Sequence, residues 1–220
     1  GVAASIDIVD GLGSGSSALS AISDMQSGTM DTLYVASYDA DGNFKENPAA
    51  EWSVTGGIGS VAPESPASAD TTVFTAGTVG NGSVQAEVSG LAVSTLAIEV
   101  VGGVLTSIQF RDGINGSGSE YSEPLELTTD ESSTIYVAGY DSDDNYVGDQ
   151  SGSWSLSTES TGLSLSDMND GVYSPSVPGS GWYVYTTTSP VVSDSIAVSV
   201  SVGVAASIDI VDGLGSGSSA

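Results

Sequence analysis

The chain has 220 residues, of which 28 are acidic and only two, Lys45 and Arg111, are basic, giving a formal net charge of −26 with no His and no Cys. Nucleic acid and anionic membrane surfaces are excluded as partners, because a polyanion is held by Lys and Arg that displace its counterions and two such residues make no patch. Thiolate and imidazole chemistry, with zinc, haem and iron–sulfur ligation of the usual kinds, is excluded too; the carboxylates, hydroxyls and amides that remain suit hard cations such as calcium.

Charged residues are only 14% of the chain, which is rich in Gly, Ser, Thr and Val. The solubilising surface is therefore largely hydroxyl, as in extracellular β-rich proteins. The sequence holds no signal peptide, initiator Met or membrane span, so no membrane insertion is expected of this segment and any targeting segment lies outside it. The excess of carboxylate suits a saline or calcium-rich medium, and it also keeps a long polymer from aggregating by self-repulsion.

In chain order, the opening strand runs into the turn Asp10-Gly11 and the Gly-rich stretch Gly11-Leu-Gly13-Ser-Gly15. That stretch lacks the following helix and Lys of a phosphate loop and reads as a flexible loop. Turn signals then recur at Asp41-Gly42-Asn43, Gly56-Gly57, Asn81-Gly82 and Gly102-Gly103. Between them lie period-two strands such as Ser83 to Val88 and, later, Ser195 to Val202. No window of twelve residues carries a 3.6-residue apolar stripe free of Gly, Pro or β-branched interruption. The chain is all-β, and the strand spacing predicts sandwiches of about seven strands, with a closed barrel as the alternative.

Two repeats organise these elements. Gly203 to Ala220 copy Gly1 to Ala18 letter for letter, an offset of 203 − 1 = 202. Inside that period, Thr32 to Asn43 (TLYVASYDADGN) matches Thr134 to Asn145 (TIYVAGYDSDDN) at an offset of 102, which also relates Ile6 to Ile108, Asp10-Gly11 to Asp112-Gly113 and Trp52-Ser53 to Trp154-Ser155. The expected domains are residues 1–102 and 103–202, with 203–220 the start of a following repeat, as in one period cut from a longer array. Leu96 to Val101 passes through Gly102-Gly103 into Val104 to Ile108 without a linker, so the junction is expected to be stiff.

Trp52 and Trp154, each followed two residues later by an apolar residue, are expected to anchor the cores from middle strands. Past Trp154 the second module departs from the first: Ser157 to Asp170 does not match Gly56 to Gly59, and Pro175, Pro178 and Trp182 find no counterparts. Trp182 to Tyr185 reads as a strand with one face in the core and the other available for lateral contact.

The order Tyr34 to Asn43, Trp52 to Gly59, Val73-Phe-Thr-Ala76 and Gly82-Ser-Val84 resembles the bacterial immunoglobulin-like (Big-type) repeats of surface adhesins and giant extracellular proteins. The resemblance covers essentially the whole chain, twice. It implies two tandem immunoglobulin-like β-sandwich domains plus the first strand of a following repeat, on a cell surface or in an extracellular fibre, without catalytic residues.

Several residues are candidates for chemistry. Asp39, Asp41 and Asn43, and again Asp141, Asp143 and Asn145, have the D-x-D-x-N spacing that opens a calcium loop, with Asp10 or Asp112 as a further ligand from a neighbouring loop. Neither continues into an EF-hand, and the same residues suit a plain hairpin turn. Asn81-Gly-Ser83 and Asn115-Gly-Ser117 match the N-glycosylation acceptor and also read as Asn-Gly turns. Carboxylate pairs abound, but none lies among convergent aromatic and polar residues, and no enzyme activity is expected.

The leading functional expectation is a structural repeat unit of an extracellular filament, fibre or stalk, extended by self-association or by continuation of the same polypeptide array. The alternative is an adhesin module that binds carbohydrate or protein through loops at a sandwich end.

Overall fold

A computed structural model describes residues 1–121 and 123–205. The expected following repeat, 203–220, therefore lies outside the described residues from 206 onward. The chain divides into two compact units, Gly1–Ser107 with Gly139–Gly148, and Ile108–Ala138 with Asp149–Ala220.

Ten strands build the first unit: β1 (Ser5–Val9), β2 (Ala21–Gln26), β3 (Met30–Tyr38), β4 (Phe44–Glu46), β5 (Ala50–Thr55), β6 (Gly59–Ala62), β7 (Ser68–Ala69), β8 (Thr71–Ala76), β9 (Gly80–Glu87) and β10 (Ser94–Val101). One sheet runs β1-β3-β8-β6, with β4 beside β3, and the other β2-β10-β9-β5-β7. The chain crosses between the sheets after β1, so that β2 lies parallel to β10 while β1 lies antiparallel to β3. With β1, β3, β8 and β6 in one layer and β10, β9 and β5 in the other, this is the immunoglobulin Greek key. Period-two patterning makes it work: β10 turns Leu96, Ile98 and Val100 inward and β8 turns Thr72, Phe74 and Ala76 inward, while the residues between them face out. Trp52 on β5 is completely buried against this core.

Asn81-Gly82 is not a turn, as the sequence suggested, but part of β9. Gly82 is needed there for approach rather than for backbone freedom, since a Cβ would sit 2.3 Å from the Thr55 carbonyl oxygen.

The second half of the chain adds β11 (Ser107–Arg111), β12 (Leu125–Thr128), β13 (Ser133–Thr134), β14 (Tyr136–Tyr140), β15 (Tyr146–Asp149), β16 (Gly152–Leu156), β17 (Met168–Asn169), β18 (Val172–Tyr173), β19 (Gly179–Thr187) and β20 (Ser193–Ser201), with one 3-10 turn at Leu165–Asp167. Its sheets run β11-β14-β15, β12-β20-β19-β16 and β13-β18-β17. Register shows where the 102-residue offset changes. Asp31 faces Phe74 as Ser133 faces Tyr173, and Trp52 faces Ala86 as Trp154 faces Tyr185. Phe74 and Tyr173 are thus equivalent at an offset of 99, as are Val84 and Tyr183. Three residues fewer between the tryptophan strand and the next equivalent strand hid these matches from a fixed-offset comparison.

Two consequences follow for packing. Gly171, with φ +78°, stands where Thr72 pairs in the first unit, and the long strand β3 is there replaced by β13 and β14, interrupted at Ile135. Tyr185 stands where Ala86 gives Trp52 its space, its ring 4.8 Å from that of Trp154. Trp154 is in consequence half-buried, on an edge strand rather than a middle one.

Candidate functional site

The two acidic turns have the same internal structure. Between β3 and β4, the Asp39 Oδ1 atom accepts hydrogen bonds from the backbone N–H of Asp41 (3.0 Å) and Asn43 (2.9 Å) and from Asn43 Nδ2 (3.1 Å). In the second, Asp141 Oδ1 accepts from Asp143 N–H (2.9 Å), Asn145 N–H (2.9 Å) and Asn145 Nδ2 (3.2 Å). An aromatic pair closes each hairpin edge-to-face, Tyr38 with Phe44 and Tyr140 with Tyr146. Gly42 takes the left-handed conformation at φ +81° and Asp144 takes it at the equivalent place at +61°, a position Asp tolerates.

The turns differ in their surroundings. Asp39 is half-buried and Asn43 exposed, whereas Asp141 is 3% exposed and Asn145 half-buried; Asp41 and Asp143 are exposed in both. Within the first compact unit, Asp141 Oδ2 accepts the Gly103 N–H at 2.8 Å, and Asn145 Nδ2 reaches Ser27 Oγ at 3.1 Å and the Gly77 carbonyl at 3.0 Å. Asn145 Oδ1 accepts the Val79 N–H at 3.1 Å, and the Ser27 hydroxyl donates to Asp143 Oδ2. Burial alone would raise the Asp141 carboxyl, but the N–H groups of Gly103 and Asn145 outweigh it and hold the group below its usual range. The Asn43 N–H and side-chain amide do the same for Asp39. Sequence reasoning missed Ser27, Gly77 and Gly103, which have no distinctive chemistry. The 102-residue register was the available signal, since it sets Gly1 against Asp39 as Gly103 is set against Asp141, and the Gly1 amine is 3.7 Å from Asp39 Oδ2.

Asp10 and Asp112 close their own loops: Asp10 Oδ1 accepts the Ser17 N–H at 2.7 Å and Asp112 Oδ1 the Ser119 N–H at 2.6 Å. The Gly-rich loop is further tied by Gly13 N–H to Asn47 Oδ1 at 2.8 Å, so the stretch read as flexible has an ordered hydrogen-bonded course. Among the described residues, no three carboxylates gather closely enough to hold a metal ion. Asn81 is exposed on β9, and Asn115, at φ +56°, is exposed in the loop after β11.

The strand β19 turns Tyr183 and Tyr185 into the core and leaves Trp182, 37% exposed, on the outer face. Within the second unit a groove of about 520 Å³ runs beside it, lined by Glu123, Pro124, Glu159, Trp182 and Val198 among others. An aromatic plane flanked by carboxylate acceptors can stack on an apolar ring face and accept hydrogen bonds from hydroxyls. Among the described residues, no helix is long and apolar enough to cross a membrane.

No protein-family profile matches the chain, and no curated protein matches it. Among solved structures, it is similar to domains 4–9 of the surface layer protein SbsC, at 15% identity and a TM-score of 0.33 over 91% of this chain and 32% of that one. It is similar to the Escherichia coli adhesin FdeC at 14% identity and a TM-score of 0.42, over 91% of this chain and 65% of that one. The titin tandem immunoglobulin domains A164–A165 align at 11% identity and a TM-score of 0.36, over 90% of this chain and the whole of theirs. The chain thus spans about a third of the surface layer fragment and just under two thirds of the adhesin.

Proposed function

We propose that the chain is a structural repeat unit of an extracellular filament or cell-surface stalk, extended by further copies of the same period. The observation that carries this reading is the parallel pairing of an early strand with the last strand in each half: β2 with β10 (Ala21 to Ala97, Ile22 to Ile98) and β12 with β20 (Leu125 to Val198 through Thr128 to Ser201). Tension applied at the two ends of such a unit pulls parallel neighbours in opposite directions along their own axes. The ladder hydrogen bonds are then loaded in shear together, not opened one after another. Exact recurrence at 202 residues supports the array, and the hydroxyl-rich, cation-poor composition supports the extracellular location.

Single-molecule stretching of a chain of several periods tests it. We expect two unfolding events per period, and Ile22→Pro, which removes a backbone donor from β2, lowers the force of the first unit's event only. Unfolding at forces no higher than those of a hairpin opened strand by strand, or an Ile22→Pro chain that stretches like the parent, would overturn the load-bearing reading.

One observation favours a second reading, an adhesin module, though on a sheet face rather than at sandwich-end loops. The Trp182 groove combines an exposed indole with Glu123 and Glu159, a combination suited to a sugar ring. On that reading the chain retains particular oligosaccharides on a glycan array and Trp182→Ala abolishes the signal; no retention by the unsubstituted chain dismisses it.

A further inference from the structure

We infer that the Asp39–Asn43 turn is a docking surface for the trailing end of the preceding copy of this period, closing on it as the Asp141–Asn145 turn closes on Ser27, Gly77 and Gly103. The inference rests on the array reading above. The partner is therefore another stretch of the same sequence, the end of a second module.

Three observations lead there. The first is that one device occurs twice with matching internal hydrogen bonds, while only in the second copy is the asparagine engaged from outside. Asn145 bonds Ser27, Gly77 and Val79, whereas among the described residues the hydrogen bonds of Asn43 go to Asp39.

The second concerns the end that would be grasped. In the first unit, Ser27 N–H donates to the Val101 carbonyl at 2.9 Å and Thr29 N–H to Gln26 at 3.1 Å; in the second, Thr129 N–H donates to Ser201 at 3.1 Å and Glu131 N–H to Thr128 at 3.2 Å. Thr129 therefore occupies the place of Ser27 and keeps its hydroxyl, which can donate to Asp41 and accept from Asn43 as Ser27 does with Asp143 and Asn145.

The third is the position of the connecting glycine. Gly1, Gly103 and Gly203 are equivalent by the 102- and 202-residue offsets. Gly103 N–H lies 2.8 Å from Asp141 Oδ2 and the Gly1 amine 3.7 Å from Asp39 Oδ2, while Gly203 N–H is held at 3.0 Å by Thr129 Oγ1. The residue that sits against the turn is thus the same one that sits against Thr129, which brings the two together wherever one period follows another.

The two junctions are not identical. Gly28 in the first unit becomes Asp130 in the second, and a Cβ on Gly28 would stand 3.9 Å from Asp143 Oδ2. Asp130 Oδ2 accepts the Val204 N–H at 2.6 Å, so its carboxylate lies at the connecting segment, and at the junction between periods its charge weakens the contact with the acidic turn relative to the template.

Because the sequence has no cysteine, disulfide trapping reads this contact without background. In a chain of two periods, Thr129→Cys in the first copy is paired with Asn43→Cys in the second. The control pair is Ser27→Cys with Asn145→Cys in one copy, whose parent atoms are 3.1 Å apart. Both pairs are expected to oxidise to disulfides, and Asp130→Gly is expected to speed the first. Formation of the control alone, or of neither, overturns the inference. Hydrogen exchange on the unsubstituted two-period chain gives an independent reading. The amides of Asp41 to Phe44 should exchange about tenfold more slowly in the second copy than in the first, where nothing precedes them, and equal rates overturn the inference. Failure of the array reading shows elsewhere, as native chains no longer than one period.

Discussion

Trp52→Ala is expected to destabilise the first unit by about 3–5 kcal/mol, the usual range for emptying an aromatic site in a closed core. The indole is fully buried, and its Nε1–H donates to the Ala69 carbonyl at 2.9 Å. Truncation leaves both a cavity between the sheets and an acceptor that has lost its donor, and each adds to the loss. Trp154→Ala should cost roughly half as much, because large-to-small losses follow the volume the site cannot refill. That side chain is half-buried on an edge strand, with Phe110 stacked 5.5 Å away and Tyr185 at 4.8 Å positioned to move in. Denaturant unfolding of the full chain, followed by a probe in each unit, separates the two values. Equal losses would show that the equivalent tryptophans are equivalent in energy too, against the packing difference described above.

Alkali is expected to unfold the second unit before the first. Burial raises the phenol pKa of Tyr173, Tyr183 and Tyr185 in the second unit; Tyr183 is raised further by the Tyr173 phenol beside it. In the first unit Tyr38 is raised, by burial and then by the charge of Asp7. The folded chain thus keeps these protons to higher pH than the unfolded chain does. Their contribution to stability is complete below the unfolded value near 10 and is lost as pH rises toward the folded values, by at most about 1.4 kcal/mol per pH unit for each group. The cluster of three raised phenols should collapse the second unit first as pH passes 10, which circular dichroism and phenolate absorbance can follow together. Tyr173→Phe should delay the collapse, since it removes one of the three raised phenols and Phe74 fills the equivalent site. Simultaneous unfolding of both units would contradict this account.

Much of the fold could be read from the residues. Alternation in β9 and β20 announced half-buried strands, the absence of a helical stripe announced an all-β chain, and the paired tryptophans marked the same strand in each half. The misreading of Asn81-Gly82 has a physical cause, that a residue type can serve two ends. Asn-Gly at 81–82 is a common turn, but a glycine also lets two strands approach where no side chain fits. D-x-D-x-N spacing suits a calcium loop and a hairpin turn alike, and at Asp39 and Asp141 the carboxylate accepts hydrogen bonds from the turn's own amides. The partners of Asp141 and Asn145 carry no chemical mark in the sequence because they are ordinary residues, the Gly103 backbone for Asp141 and Ser27 with the Gly77 and Val79 backbones for Asn145, made specific only by the fold.

The two-residue strand β7 has a bearing on how such chains survive crowding. It sits on the outer side of β5, with Pro63 and Pro66 in the segment that leads to it and no amide hydrogen on either to offer a neighbour. A strand so short cannot template pairing with a neighbouring chain, so it seals an edge that would otherwise be open to mispairing between copies of one sequence. Among the described residues, the sheet order of the second half places β16 at an edge with no further strand beyond it. Where identical modules are strung together and synthesised side by side, that strand is the place at which misassembly between neighbours would begin, and a proline or lysine introduced there is the natural safeguard.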